Sequence, residues 1–243
     1  MKGGRKKEHE PVAIWQDIEK LSLSWDSAKE LFHYDRIDST FESLLPQASL
    51  RAGAIVFFAA AIIAVILAFL SSIGMTYFEA FRYETIAELH GADIEPEIDF
   101  SGLVPYSLYL LLFIVPFSMV FTLVYEWVAW RLLKLTGGKG EFKKQYQLAS
   151  ILTLSMSMVM ALELLAPVPF LSYLAFFAFW LLFMYFGFFV RCRAYALVHD
   201  ISFLHAFVIF VVVSAVAIPI AFFAIQNAVG LFNVPLPAQS AGV

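Results

Sequence analysis

The chain has 243 residues, of which 61% are hydrophobic and only 15% charged, with a formal net charge of −4 and a mean hydropathy of +0.78. Soluble domains carry about 25% charged residues, so this balance excludes an ordinary soluble domain and predicts an all-α polytopic membrane protein. The lone Cys192 excludes an intrachain disulfide framework and a cysteine-rich metal site.

Residues 1–50 read as a segment outside the lipid. Met1–Glu10 is polar and basic, without periodicity. From Pro11 a helical period sets in, with Ile14, Trp15, Ile18, Leu21, Trp25, Ala28, Leu31 and Phe32 on one face and Asp17, Glu19, Lys20 and Lys29 on the other. Such a helix either lies on a membrane surface with its tryptophans at headgroup depth or packs on a protein. Its expected anchors are Trp15, Trp25, Leu31 and Phe32. The tetrad Ser39-Thr-Phe-Glu42 has the form of a capping box opening a short helix before the first span.

A helix needs about 20 apolar residues to cross the hydrocarbon. Five stretches qualify: about 52–78, 104–130, 146–166, 170–190 and 203–225. They make a membrane domain over 51–228, followed by an uncharged tail at 229–243. No secretory leader is apparent, so the first span is expected to act as its own insertion signal. Pro116 and Pro219 predict kinks in the second and fifth spans. Neither an internal repeat nor a pair of broken helices marks a secondary transporter.

Charge sets the orientation. With the amino terminus in the cytoplasm, every Lys and Arg except Arg82 falls on the cytoplasmic side, while Glu79–Leu103 on the other side is acidic. The expectation is N-in, C-out, in the plasma membrane of a prokaryote. The basic turn between the second and third spans carries Gly137, Gly138, Lys139, Gly140, Lys143 and Lys144, and a second basic pair, Arg191 and Arg193, follows the fourth span. The glycines permit a tight reversal. Each of these cations near an anionic lipid surface is worth about 1 kcal/mol.

With these residues in view, the chain resembles the Yip (Yip-one domain) family of five-span membrane proteins. The likeness rests on Leu135-Thr-Gly-Gly-Lys-Gly-Glu-Phe-Lys-Lys-Gln-Tyr146, where relatives carry a Gly-Gly-x-Gly-x-Phe turn before a helix, and on Arg193–Ala206 ahead of the last span. It covers roughly residues 25–228. Eukaryotic relatives are adaptors that bind Rab-type GTPases, but the Asp-Leu-Tyr-Gly-Pro-like segment of those members is missing here, so the resemblance is to prokaryotic-type members and implies no GTPase. It implies a non-enzymatic protein that organises membrane or recruits a protein partner through its amino-terminal segment. A component of a small-solute or ion transporter is the alternative.

Two carboxylates fall inside spans, Glu126 and Glu163. A buried charge in lipid is costly and marks a functional hypothesis. Glu126 reads as a neighbour of Arg131 reaching the headgroups. Glu163, near the far end of the third span, faces either the bundle or outer water. The acid-rich stretch 93–99 lacks the pattern of a twelve-residue calcium loop. The glycine turn lacks Gly-Lys-Ser/Thr and a preceding strand, and the histidines lack zinc spacing. His199 and His205 read as boundary residues. No catalytic constellation, metal, cofactor or nucleic-acid groove is expected.

Overall fold

A computed structural model of the chain describes residues 23–89, 108–165 and 167–232. All regular structure among them is helical. Residues 23–30 form α1, and a 3-10 turn at Tyr34–Arg36 leads into α2, Ile37–Leu44. The first long helix, α3, runs Leu50–Leu89. At 40 residues it reaches about 60 Å, well beyond the hydrocarbon thickness. A π-helical turn, Leu110–Ile114, opens α4 at Val115–Leu135. Next come α5, Phe142–Val159, with a 3-10 extension Met160–Leu165, and α6, Pro169–Met184. A second π-helical segment, Tyr185–Val190, joins α6 to α7, Arg191–His199, and α8 spans Phe203–Phe232. Five of these helical stretches are long and apolar enough to cross a membrane, so the chain is a polytopic all-α membrane protein.

The helix α5 is the centre. Every residue from Gln145 to Leu152 is buried, which a helix achieves only with neighbours on all sides. The α3 helix packs along its length, and α4 and α7 flank it. The last helix, α8, lies outside against α4 and α7. Two apolar clusters result. One joins Leu31, Ile37, Phe41 and Leu44 to Val56 and Ala60 of α3, Leu148–Leu154 of α5, and Phe186 and Val190. The other joins Tyr125, Ala129 and Leu133 of α4 to Cys192 and Tyr195 of α7 and to Ala206–Val213 of α8.

Local irregularities follow from local chemistry. Pro116 has no N–H and its ring crowds the carbonyl four residues back. The wide turn Leu110–Ile114 just ahead of it absorbs that crowding, and the Ser118 hydroxyl donates to the Val115 carbonyl at 2.8 Å. The α6–α7 helix contains one wide turn around Gly187. An extra residue there rotates all that follows by about 100°, and the rotated face carries Arg191 and Tyr195.

Several expectations change. The fourth span continues through Arg191 and Arg193 to His199 instead of ending at Val190, because the π segment carries the helix onward. Ser39 lies inside α2 and donates to the Arg36 carbonyl, so no capping box opens that helix. Leu31 is fully buried in the chain's own core. Trp15, the acidic stretch 93–99 and the tail beyond 232 lie outside the described residues.

Candidate functional site

The basic turn end of the bundle is cross-linked by polar groups from every segment that reaches it. Helix α4 stops in a Schellman turn: Gly138 N–H reaches the Leu133 carbonyl at 2.8 Å and Gly137 N–H the Lys134 carbonyl at 3.3 Å. Gly137 sits at φ +102°, where a side chain is strained. The other two glycines serve approach. A Cβ at Gly138 would lie 2.6 Å from His199 Nδ1, and one at Gly140 would lie 2.6 Å from the Val198 carbonyl oxygen. The turn is therefore pressed against the end of α7, and Lys139 N–H seals the contact by donating to the His199 carbonyl at 3.0 Å.

Beneath that contact lies Glu126, fully buried at 0% exposure. It does not pair with Arg131, whose guanidinium instead sits 5.2 Å from the rings of Trp127 and Trp130. The Glu126 carboxylate accepts from Gln145 Nε2 of α5 at 2.8 Å and from the Tyr195 hydroxyl of α7 at 2.9 Å. Arg191 Nη1, also from α7, lies 3.9 Å away. All three neighbours are donors, the arrangement an ionised carboxylate needs. Arg191 also covers the ring of Tyr125 at 5.7 Å. Tyr125 hydroxyl and Ser214 Oγ, 2.8 Å apart, extend the contact to α8.

The amide fixes the next link. Because Gln145 Nε2 faces a carboxylate, its Oε1 faces His199 Nε2 at 2.8 Å, and that nitrogen must carry the proton. The buried Nδ1 then has no hydrogen-bond partner among the described residues. One chain of groups, Arg191–Glu126–Gln145–His199, thus ties α4, α5 and α7 together under the glycine turn. His199 is a core residue of this network rather than a boundary residue.

The amino-terminal segment is fastened along the bundle, from that end toward its middle. Ser155 Oγ donates to the Ala28 carbonyl at 3.1 Å, and the Tyr185 hydroxyl donates to the Leu31 carbonyl at 3.1 Å. Ser49 N–H reaches Gln147 Oε1 at 2.7 Å. Arg193 grips Asp38 with two parallel bonds, through Nε at 2.7 Å and through Nη2. That bond holds the Asp38 carboxyl below its usual range. Trp25, Phe32 and Tyr34 stay exposed, although Phe32 meets Phe186 edge-on at 4.7 Å.

The cations assigned to lipid are mostly engaged within the chain. Lys139 pairs with Asp200 at 2.8 Å, and Lys143 and Lys144 both pair with Glu141. These pairs are exposed, so they hold the turn weakly. Arg191 faces inward to Glu126, and Arg193 to Asp38. Cys192, between them, is fully buried.

Glu163 stands apart. It lies in the 3-10 extension of α5, which Ser71 Oγ secures by donating to the Glu163 carbonyl at 3.1 Å. Its side chain lines a cavity of about 650 Å³ between this extension and α6. Among the described residues there is no cluster of metal-binding side chains. No family model, curated protein or solved structure matches the chain.

Proposed function

We propose that this is a non-enzymatic, Yip-like membrane scaffold that recruits a protein partner at its basic end. The observation that carries the reading is the platform built by residues 23–44. It buries Ala28, Leu31, Ile37, Phe41 and Leu44 in the bundle while leaving Leu23, Trp25, Phe32 and Tyr34 exposed, Tyr34 to 65%. A segment that served only as a tether would not be packed this way, and exposed aromatics on a rigid support suit the anchor of an interface.

The contacts gather Arg36, Arg51, Arg131, Lys134, Lys139 and Arg193 at that same end, with the α4–α5 turn and the α7 terminus joined directly. By the positive-inside rule this reading has the basic end in the cytoplasm and α8 leaving on the opposite side, and it takes the membrane to be a prokaryotic plasma membrane. Glu126 has every carboxylate oxygen engaged within the protein, which suits a structural lock better than a relay to solvent.

The test is photocrosslinking from the platform in native membranes. A photoreactive residue at Trp25 or Tyr34 should give a discrete protein adduct, and one at Phe223 on the exposed face of α8 should give lipid adducts. A Tyr34→Asp change should remove the adduct formed from position 25. Lipid adducts alone from all three positions would end the partner reading.

A further inference from the structure

The groove beside Glu163 has a chemistry of its own. Its walls are Tyr173, Phe176, Phe179 and Trp180 of α6, with Ser172 and the carboxylic acid Glu163 also among the described lining residues. Phe176, Tyr173 and Trp180 are exposed, so the groove opens sideways from the bundle, toward lipid if the helices span as proposed. Phe176, Phe179 and Trp180 stand edge-to-face, with centroids 6.1 to 6.4 Å apart, which gives the wall a fixed shape. Among the described residues no hydrogen bond or ion pair reaches the Glu163 carboxylate.

Aromatic faces attract cations through their quadrupoles, most strongly where water is scarce. A carboxylate among such faces completes a site for an organic cation. We infer that this groove binds a lipophilic organic ammonium compound, its charged nitrogen against Glu163 and the aromatic rings, its apolar body along Phe176 and Phe179. A volume of about 650 Å³ lies within the range of small-molecule sites. A phospholipid headgroup suits it poorly. Among the described residues no Lys or Arg lines the groove to meet a phosphate, and Glu163 would repel it. The inference does not depend on the scaffold reading, because no residue of the platform lines the groove.

The probe is radiolabelled benzyltrimethylammonium, titrated onto the full chain purified in dodecyl maltoside, a detergent without ammonium groups. The wild type should bind it saturably at one site. Glu163→Gln should weaken binding by at least tenfold, Trp180→Leu by several-fold, and Glu163→Asp should restore most of it, which separates loss of charge from loss of fold. Neopentylbenzene, the uncharged analogue, should compete poorly and equally in wild type and Glu163→Gln. Excess phosphatidylethanolamine should leave binding unchanged. Non-saturable uptake, equal affinity in Glu163→Gln, or displacement by phosphatidylethanolamine would each overturn the assignment.

Discussion

The two ends of this bundle solve the problem of polar groups in an apolar protein in opposite ways. At the basic end, Glu126 is fully buried, Gln145 and Tyr195 donate to it and Arg191 stands beside it, so it joins α4, α5 and α7. At the other end, Glu163 is only partly buried and no partner among the described residues reaches its carboxylate, which leaves it for something outside the chain. Burial without a partner is costly and burial with donors is tolerated. The contrast assigns structure to one carboxylate and binding to the other.

Breaking the lock should have the largest effect. Glu126→Ala removes the counter-charge of the buried Arg191 and the acceptor of the buried Tyr195 hydroxyl, at a cost of about 3–5 kcal/mol. In detergent the thermal midpoint should fall steeply, and much of the protein should leave the monodisperse peak in size-exclusion chromatography. Replacing both members, Glu126→Leu with Arg191→Leu, should be less damaging than Glu126→Ala alone, since no lone charge remains. A double variant as unstable as the single one would mean the pair does not carry the coupling. By contrast, Glu163→Gln should leave the midpoint unchanged.

The glycine turn comes next. Gly138→Ala places a methyl against His199 and the Leu133 carbonyl, both within 2.8 Å, and neither has room to move. Overpacking of this kind costs about 1–3 kcal/mol. Gly137→Ala meets no atom within 4 Å and suffers only the strain of its φ, so its midpoint should fall less. Equal losses at the two positions would show that backbone conformation, not the approach of α7, sets the turn.

These two regions also differ in how far they can be read from residue order alone. The five spans are legible because each is a long apolar run, a property of contiguous residues. So is the turn, because Gly137, Gly138 and Gly140 are adjacent. The lock is not legible: Glu126 and Arg191 are 65 positions apart, and the register that brings them together depends on a π turn that no local pattern announces. Sequence spacing offers Arg131 as the partner, yet a residue five positions away on a helix points to another face. Leu31 fails as an anchor for a related reason. An amphipathic period shows which face is apolar, not whether lipid, a partner or the chain's own α5 covers it. The signal available for the lock was the density of polar residues, Gln145, Gln147 and Ser150, at the start of an apolar span.

The platform tests the comparison more gently. Ser155→Ala removes the bond to the Ala28 carbonyl and should cost about 1 kcal/mol, read as faster proteolysis of residues 23–44 with an almost unchanged midpoint for the bundle. The Asp38–Arg193 grip is smaller still, because both side chains are more than 40% exposed, and solvent holds such pairs below about 1 kcal/mol. It carries a pH signature all the same. The Arg193 hydrogen bond depresses the folded-state pKa of Asp38, so its contribution is complete above the ordinary carboxylate value of about 3.9 and fades as pH falls through the lower folded value. Asp38→Asn should therefore lower the midpoint slightly at pH 7, and the gap between variant and wild type should narrow as pH falls below about 3.9. A gap that does not narrow at all would mean the two side chains contribute by packing rather than by charge. The platform would then be held only by its buried residues, Ala28 to Leu44, and by the hydroxyl bonds from α5 and Tyr185.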